Sequence, residues 1–174
     1  MVEVSVESIR VSLINQQRLV VLRENDSQRY LPIWIGPFEA EAIQMGLQRT
    51  DAGRPLTHDL LGNVIEQLGG RLVHVHVLDL RDDTFFAVLV VDVGERRVEI
   101  DARPSDAIAL AVRGEVPIYV AEDVMDKAGQ VPARDIEPED EEGGGLAEGD
   151  RDTLGLFRDF VEGLDLDRPS SSES

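Results

Sequence analysis

DARPSDAIALAVRGEVPI, residues 101–118, leaves a strand, turns through Arg-Pro and enters an alanine-rich helix. Asp101, Arg103, Ser105 and Asp106 crowd the mouth of a helix whose remainder is almost all Ala, Ile, Leu and Val. Capping accounts for part of this, because proline fits the first helical position and an acid in the first turn complements the macrodipole. A helix start also points unpaired N–H groups outward, so an added arginine makes a phosphate grip and added carboxylates make a metal grip. Residue types alone leave both open.

Working outward, Arg97 to Asp101 reads as a strand, Gly94-Glu95 as a turn, and Phe85 to Val93 as a strand rich in β-branched residues. Arg81 to Asp83 turns, and Arg71 to Leu80 is a further strand. The same order stands upstream. Residues 3–13 alternate, Asn15 to Gln17 turns, Leu19 to Leu22 is apolar, and Tyr30 to Ile35 forms a third strand before Gly36-Pro37 opens a helix over Phe38 to Gln48. GPFEAEAI and RPSDAIAL both begin a helix on proline with an acid two residues later. The pattern predicts an α+β fold: a mainly antiparallel sheet built from two strand-strand-strand-helix units, with the helices packed on the sheet. Between the units, Thr57 is expected to cap a helix through Leu60, Leu61, Val64, Ile65 and Leu68 that ends at Gly69-Gly70. Pro117 to Val120 is expected to add an edge strand, and Glu122 to Ala128 a short last helix.

The chain has 174 residues, 42% of them hydrophobic, enough for one cored domain with an appendage. Its net charge of −18 is uneven: residues 1–130 hold 13 Arg and Lys against 21 Asp and Glu, whereas residues 131–174 hold 4 against 14. Residues 1–129 therefore read as the domain, 130–152 as an acidic disordered linker, and 153–174 as a short amphipathic helix and disordered tail. A negative field opposes non-specific nucleic-acid binding, so any such role needs a local basic site. Zero cysteines remove disulfides, thiolate zinc sites and thiol nucleophiles, and fit a reducing, cytoplasmic compartment. MVEVSVESIR carries acids where a signal peptide carries positive charge, so export is not expected. The longest apolar stretch, around Phe85 to Val91, is far shorter than the roughly 18 residues of a membrane helix.

RPLTHDLL, residues 54–61, echoes the opening stretch: Arg54 and Pro55 lead into His58 and Asp59, as Arg103 and Pro104 lead into Ser105 and Asp106. Phosphodiester cleavage needs a group that activates water, cations that stabilise developing charge and, in metal-assisted forms, hard oxygen ligands. His58, Asp59, Arg54, Arg103 and Asp106 are the candidate catalytic residues, and Asp59, Asp106, Asp101 and Glu39 the candidate ligands of a divalent cation, Mg or Mn. Helix capping explains the same acids. His74 and His76 share one face of a strand and can chelate a transition metal, but no third ligand is near in sequence. No phosphate-binding loop, nucleophile elbow or organic-cofactor motif is present.

LPIWIGPFEAEAI, RPLTHDLL and DARPSDAIALAVR with the following VPI, in that order across residues 1–130, resemble the bifunctional nuclease family, whose BFN domain occurs in bacteria and plants. The resemblance implies an α+β domain, a homo-oligomer of two or more copies, and nuclease activity on RNA and DNA. It marks Glu39, Arg54, His58, Asp59, Asp101, Arg103, Ser105 and Asp106 as motif positions without assigning their roles. Two classes of function follow: a nuclease, divalent-metal-assisted, or a non-catalytic oligomeric binding or regulatory domain.

Overall fold

The computed structural model describes residues 1–12, 17–50 and 52–131. The linker from residue 132 onward, the amphipathic helix and tail at 153–174, and residues 15 and 16 of the expected first turn lie outside them. The elements are β1 (Val2–Val11), β2 (Arg18–Glu24), β3 (Tyr30–Ile35), α1 (Pro37–Leu47), α2 (Thr57–Gln67), β4 (Gly70–Arg81), β5 (Thr84–Val93), β6 (Arg96–Ala102), α3 (Pro104–Gly114), β7 (Ile118–Val120) and α4 (Glu122–Ala128).

The strands form one seven-stranded sheet in the order β3-β2-β1-β7-β4-β5-β6. Its hairpins follow local chemistry. Asp82 and Asp83, both at positive φ, make the two-residue link between Arg81 and Thr84. Gly94, at φ 60°, opens the link between Val93 and Arg96. Both are tight turns whose twist matches that of the flanking strands.

Two expectations need correction here. The sheet is mixed and not mainly antiparallel, because β7 runs parallel to β4, with Val75, His76 and Val77 opposite Ile118, Tyr119 and Val120. Ile118 to Val120 is also not an edge strand: it is central, pairing antiparallel with Val2 to Val4 on its other side. The cause is α3, which picks the chain up at the β6 edge and returns it across the sheet. A strand reached by such a crossover runs parallel to the strand the chain left, β6, and β6 is parallel to β4 because both are antiparallel to β5.

One core lies against one face of the sheet. Val20, Leu22, Leu31, Ile33, Val75, Val77, Leu89, Val91, Ile118 and Val120 meet Ile43 of α1, Ala107 to Ala111 of α3, and Val124 and Met125 of α4. The alanines of α3 let its axis come close to the sheet. Alternate residues point to the other face, where His74 meets Tyr119 edge-on, with ring centroids 5.2 Å apart.

An ion cluster, buried at Glu24 and exposed at Glu122 and Asp126, fastens the start of β3 to α4. Arg29 donates through Nε to Glu24 at 2.6 Å, and to Glu122 at 2.7 Å and Asp126 at 3.1 Å. The bonds from Arg29 and Ser27 hold the Glu24 carboxyl below its ordinary range against the opposing effect of burial. Tyr30 and Gln130 exchange backbone hydrogen bonds of 2.7 and 2.8 Å beside it. Arg29→Ala is expected to lower the free energy of unfolding by about 2 kcal/mol in urea titrations. Arg23→Ala, which breaks an exposed pair with Glu7, should cost less than about 1 kcal/mol. Equal effects would show that the cluster fastens nothing.

Candidate active site at three helix starts

The sheet delivers three helix starts to one region, and their polar residues interlock. α1 and α3 begin with proline in the first turn, where a missing N–H costs nothing. α2 begins differently from expectation. Leu56 holds the cap position, Thr57 is already helical, and Asp59 reaches back to accept from the Leu56 N–H at 2.8 Å. This is the carboxylate half of a capping box.

Asp106 is the hub. Arg103 donates to its two oxygens, from Nε at 2.7 Å and Nη2 at 3.1 Å, and from Nη1 to Glu39 of α1 at 3.0 Å. His58 Nε2 lies 3.3 Å from Asp106 Oδ1, joining α2 to α3 across 48 residues of sequence. An ionised carboxylate only accepts, so Nε2 is the donor in this contact. Burial pushes the Asp106 carboxyl up, but the bonds from Arg103 and His58 outweigh it and hold it below its ordinary value. The same bond to Asp106 raises the Arg103 guanidinium further.

A second pair stands beside the first. Arg113, in the last turn of α3, donates to Asp59 Oδ1 at 2.6 Å and to the Ala42 carbonyl of α1 at 3.1 Å, so one guanidinium ties three helices together. Its side chain is only 12% exposed, and its Nε is buried without a partner. Arg113 was absent from the candidates drawn from sequence, where a cation at a helix end reads as a dipole complement. An open cleft of about 420 Å³ runs between α2 and α3, lined by His58, Asp59, Gly62, Leu110 and Arg113 among others.

Of the remaining candidates, Ser105 is buried in the first turn of α3. Arg54 is exposed before α2, with no hydrogen bond or ion pair among the described residues. Asp101 is not brought to the cluster. It pairs with Val88, which alternates with the core residues Ala87 and Leu89, so it points to the opposite face of the sheet. For a divalent cation the donor set does not fit as arranged. Among the described residues no three His, Cys, Asp or Glu side chains gather around one point. Glu39 and Asp106 are spent on Arg103, and Asp59 on Arg113.

Residues 20–133 match the bifunctional nuclease domain. The chain belongs to that family. An uncharacterised protein of Mycobacterium tuberculosis is 47% identical over 127 residues, 73% of this chain and 76% of that protein. Two plant proteins are named bifunctional nuclease 2. The one from Oryza sativa subsp. japonica is 31% identical over 108 residues and that from Arabidopsis thaliana 29% over 105, the match spanning 33% and 32% of their lengths. Glu39, His58, Asp59, Arg103, Asp106 and Arg113 all lie inside the stretch that matches the bifunctional nuclease domain. Among the described residues no helix is long and apolar enough to cross a membrane.

A carboxyl whose folded-state pKa is lowered stabilises the fold above its ordinary value of 3.8, and that contribution is lost as pH falls. Asp106→Asn is therefore expected to cost about 1–2 kcal/mol at neutral pH. The gap to the wild type should narrow progressively as the pH falls below 3.8. Urea titrations across that range check this. A gap independent of pH would mean that the Asp106 charge is not what Arg103 and His58 hold.

Proposed function

We propose that this protein is a nuclease that hydrolyses phosphodiester bonds in RNA, DNA or both at the cluster formed by the starts of α1, α2 and α3, and that it works in the cytoplasm. The observation that carries the reading is the Arg103–Asp106–His58 chain. Asp106 holds the imidazole by Nε2–H and leaves Nδ1 to accept a proton, the division of labour a general base requires. Arg103 is 65% exposed, with N–H donors to spare on its terminal nitrogens for the non-bridging oxygens of a phosphate. Arg54, exposed and unpaired among the described residues, is a further cation in the chain just before α2. In the proposed step, His58 takes a proton from water as the new O–P bond forms. Arg103 stabilises the charge gathering on the phosphoryl oxygens, and the departing oxygen is protonated from solvent. The carboxylates as paired hold no cation cage, so no step is assigned to Mg or Mn.

A second reading, a non-catalytic regulatory domain, draws support from Asp59, whose two oxygens are used by a backbone cap and by Arg113. Labelled single-stranded RNA and DNA incubated with the full chain, in EDTA and with added Mg²⁺ or Mn²⁺, separate the two. Cleavage is expected in EDTA, with His58→Ala and Arg103→Ala each reducing the rate by about 100-fold or more. Cleavage only with a cation would mean that the carboxylates exchange their arginines for metal. No cleavage under any condition, or wild-type rates in both variants, would favour the regulatory domain.

A further inference from the structure

Packing does not account for Gly62. It stands in the middle of α2, where glycine weakens a helix relative to alanine. Gly46 of α1 has a reason to be glycine, because a Cβ there would press on Val112 and Arg113 of α3, at 3.1 and 3.3 Å. Gly62 has none: its backbone is helical, and a Cβ would meet only Leu110, at 3.8 Å, an ordinary contact. What the missing side chain does is widen the cleft that Gly62 lines with Leu110.

Three polar groups lining that cleft are unspent. Arg113 Nε is buried without a partner, and the side chains of Asn63 and Glu66 make no hydrogen bond or ion pair among the described residues. A buried donor left unpaired is costly, and an acceptor brought by a ligand removes that cost. Leu72, Leu110 and Val116 give the same space apolar lining, and about 420 Å³ is the size of a small-molecule site. An anion does not suit it. Glu66 is not neutralised, and the charge of Arg113 is taken up by Asp59. A flat, neutral ring with N–H donors for Glu66 and an acceptor for Arg113 does suit it.

We infer that the cleft holds a nucleobase of the strand whose phosphate lies at Arg103 and His58. His58 belongs to both places, since its Nε2 meets Asp106 and its ring lines the cleft. A base in the cleft therefore leaves its sugar and phosphate beside the helix starts. Every nucleobase carries N–H donors and carbonyl or ring-nitrogen acceptors on its pairing edge, and a base taken out of its stack is read through them. The position of the phosphate rests on the nuclease reading; the occupant of the cleft rests on Gly62, Asn63, Glu66 and Arg113.

Calorimetric titration of the full chain with the four ribonucleoside monophosphates, and with ribose phosphate, which lacks the base, measures the two halves separately. The tightest nucleotide is expected to bind at least about tenfold more strongly than ribose phosphate. Gly62→Met, whose side chain favours a helix and fills the cleft, should remove that advantage with no fall in the thermal unfolding midpoint. Glu66→Ala, at an exposed position, should remove most of it, and both variants should bind ribose phosphate as the wild type does. Equal affinities for nucleotides and ribose phosphate, no binding of either, or an advantage that survives both substitutions would overturn the inference. A base-dependent affinity in a chain that cleaves neither RNA nor DNA would uphold the cleft and remove the nuclease reading. Cleavage without base-dependent affinity would do the reverse.

Discussion

Three residues hold the two halves of the sheet together. β7, Ile118 to Val120, is bonded on one edge to β1 and on the other to β4, and among the described residues no other strand links the β1–β3 meander to the β4–β6 meander. Ile118 and Val120 are buried, as are their partners Val4, Val75 and Val77. Because β6 ends at one edge of the sheet and β7 lies in its middle, the chain between them has to travel back over the face, and α3 is that return path. Its alanines follow from the close approach to β4 and β5, and its polar first turn from where the path begins. The interlocked helix starts are thus a consequence of sheet topology before they are a chemical device.

Much of this was legible in the chain itself. Period-two alternation in β1, continuous β-branched runs in β5, and Pro-led helix starts marked ten of the eleven elements in kind and approximate extent, and also gave the eleventh, β7, as a strand. What could not be read was its neighbours. Ile-Tyr-Val is apolar enough for a centre and short enough for an edge, and only the crossover by α3 decides. The pairing of Arg103 with Asp106 is local, at i and i+3, and so is visible as a helix-start pattern. The contact between His58 and Asp106 spans the fold, and only the echo between the two Arg-Pro motifs hinted at it. Arg113 gave no signal because its partners, Asp59 and the Ala42 carbonyl, come from two other helices. Asp101 misled for the opposite reason: it is near the cluster in sequence, but strand alternation sends it to the far face.

Charge then limits what the site can bind. With 35 acids against 17 Arg and Lys, the chain repels polyanions at long range. A phosphate must be held by short, directional contacts, and arginine supplies these better than lysine because its planar fork matches two oxygens at once. Arg103 is already oriented by Asp106 and Glu39, so less side-chain entropy is lost when a further anion is bound. This is consistent with the family to which residues 20–133 belong. It also explains why the carboxylates at the helix starts are paired with guanidinium groups instead of lying free.

A nuclease working at these helix starts has to receive a phosphate backbone there. The direct measurement is an NMR titration of the full chain with a cleavage-resistant phosphorothioate single strand, observing arginine Nε–H and histidine ring resonances. The Arg103 Nε–H and the His58 ring should shift saturably together, with Arg113 following through Asp59, while Arg97 and His74, which belong to the opposite face of the sheet, stay in place. Shifts confined to Arg97, His74 and their neighbours, with Arg103 and His58 unmoved at saturation, would contradict it.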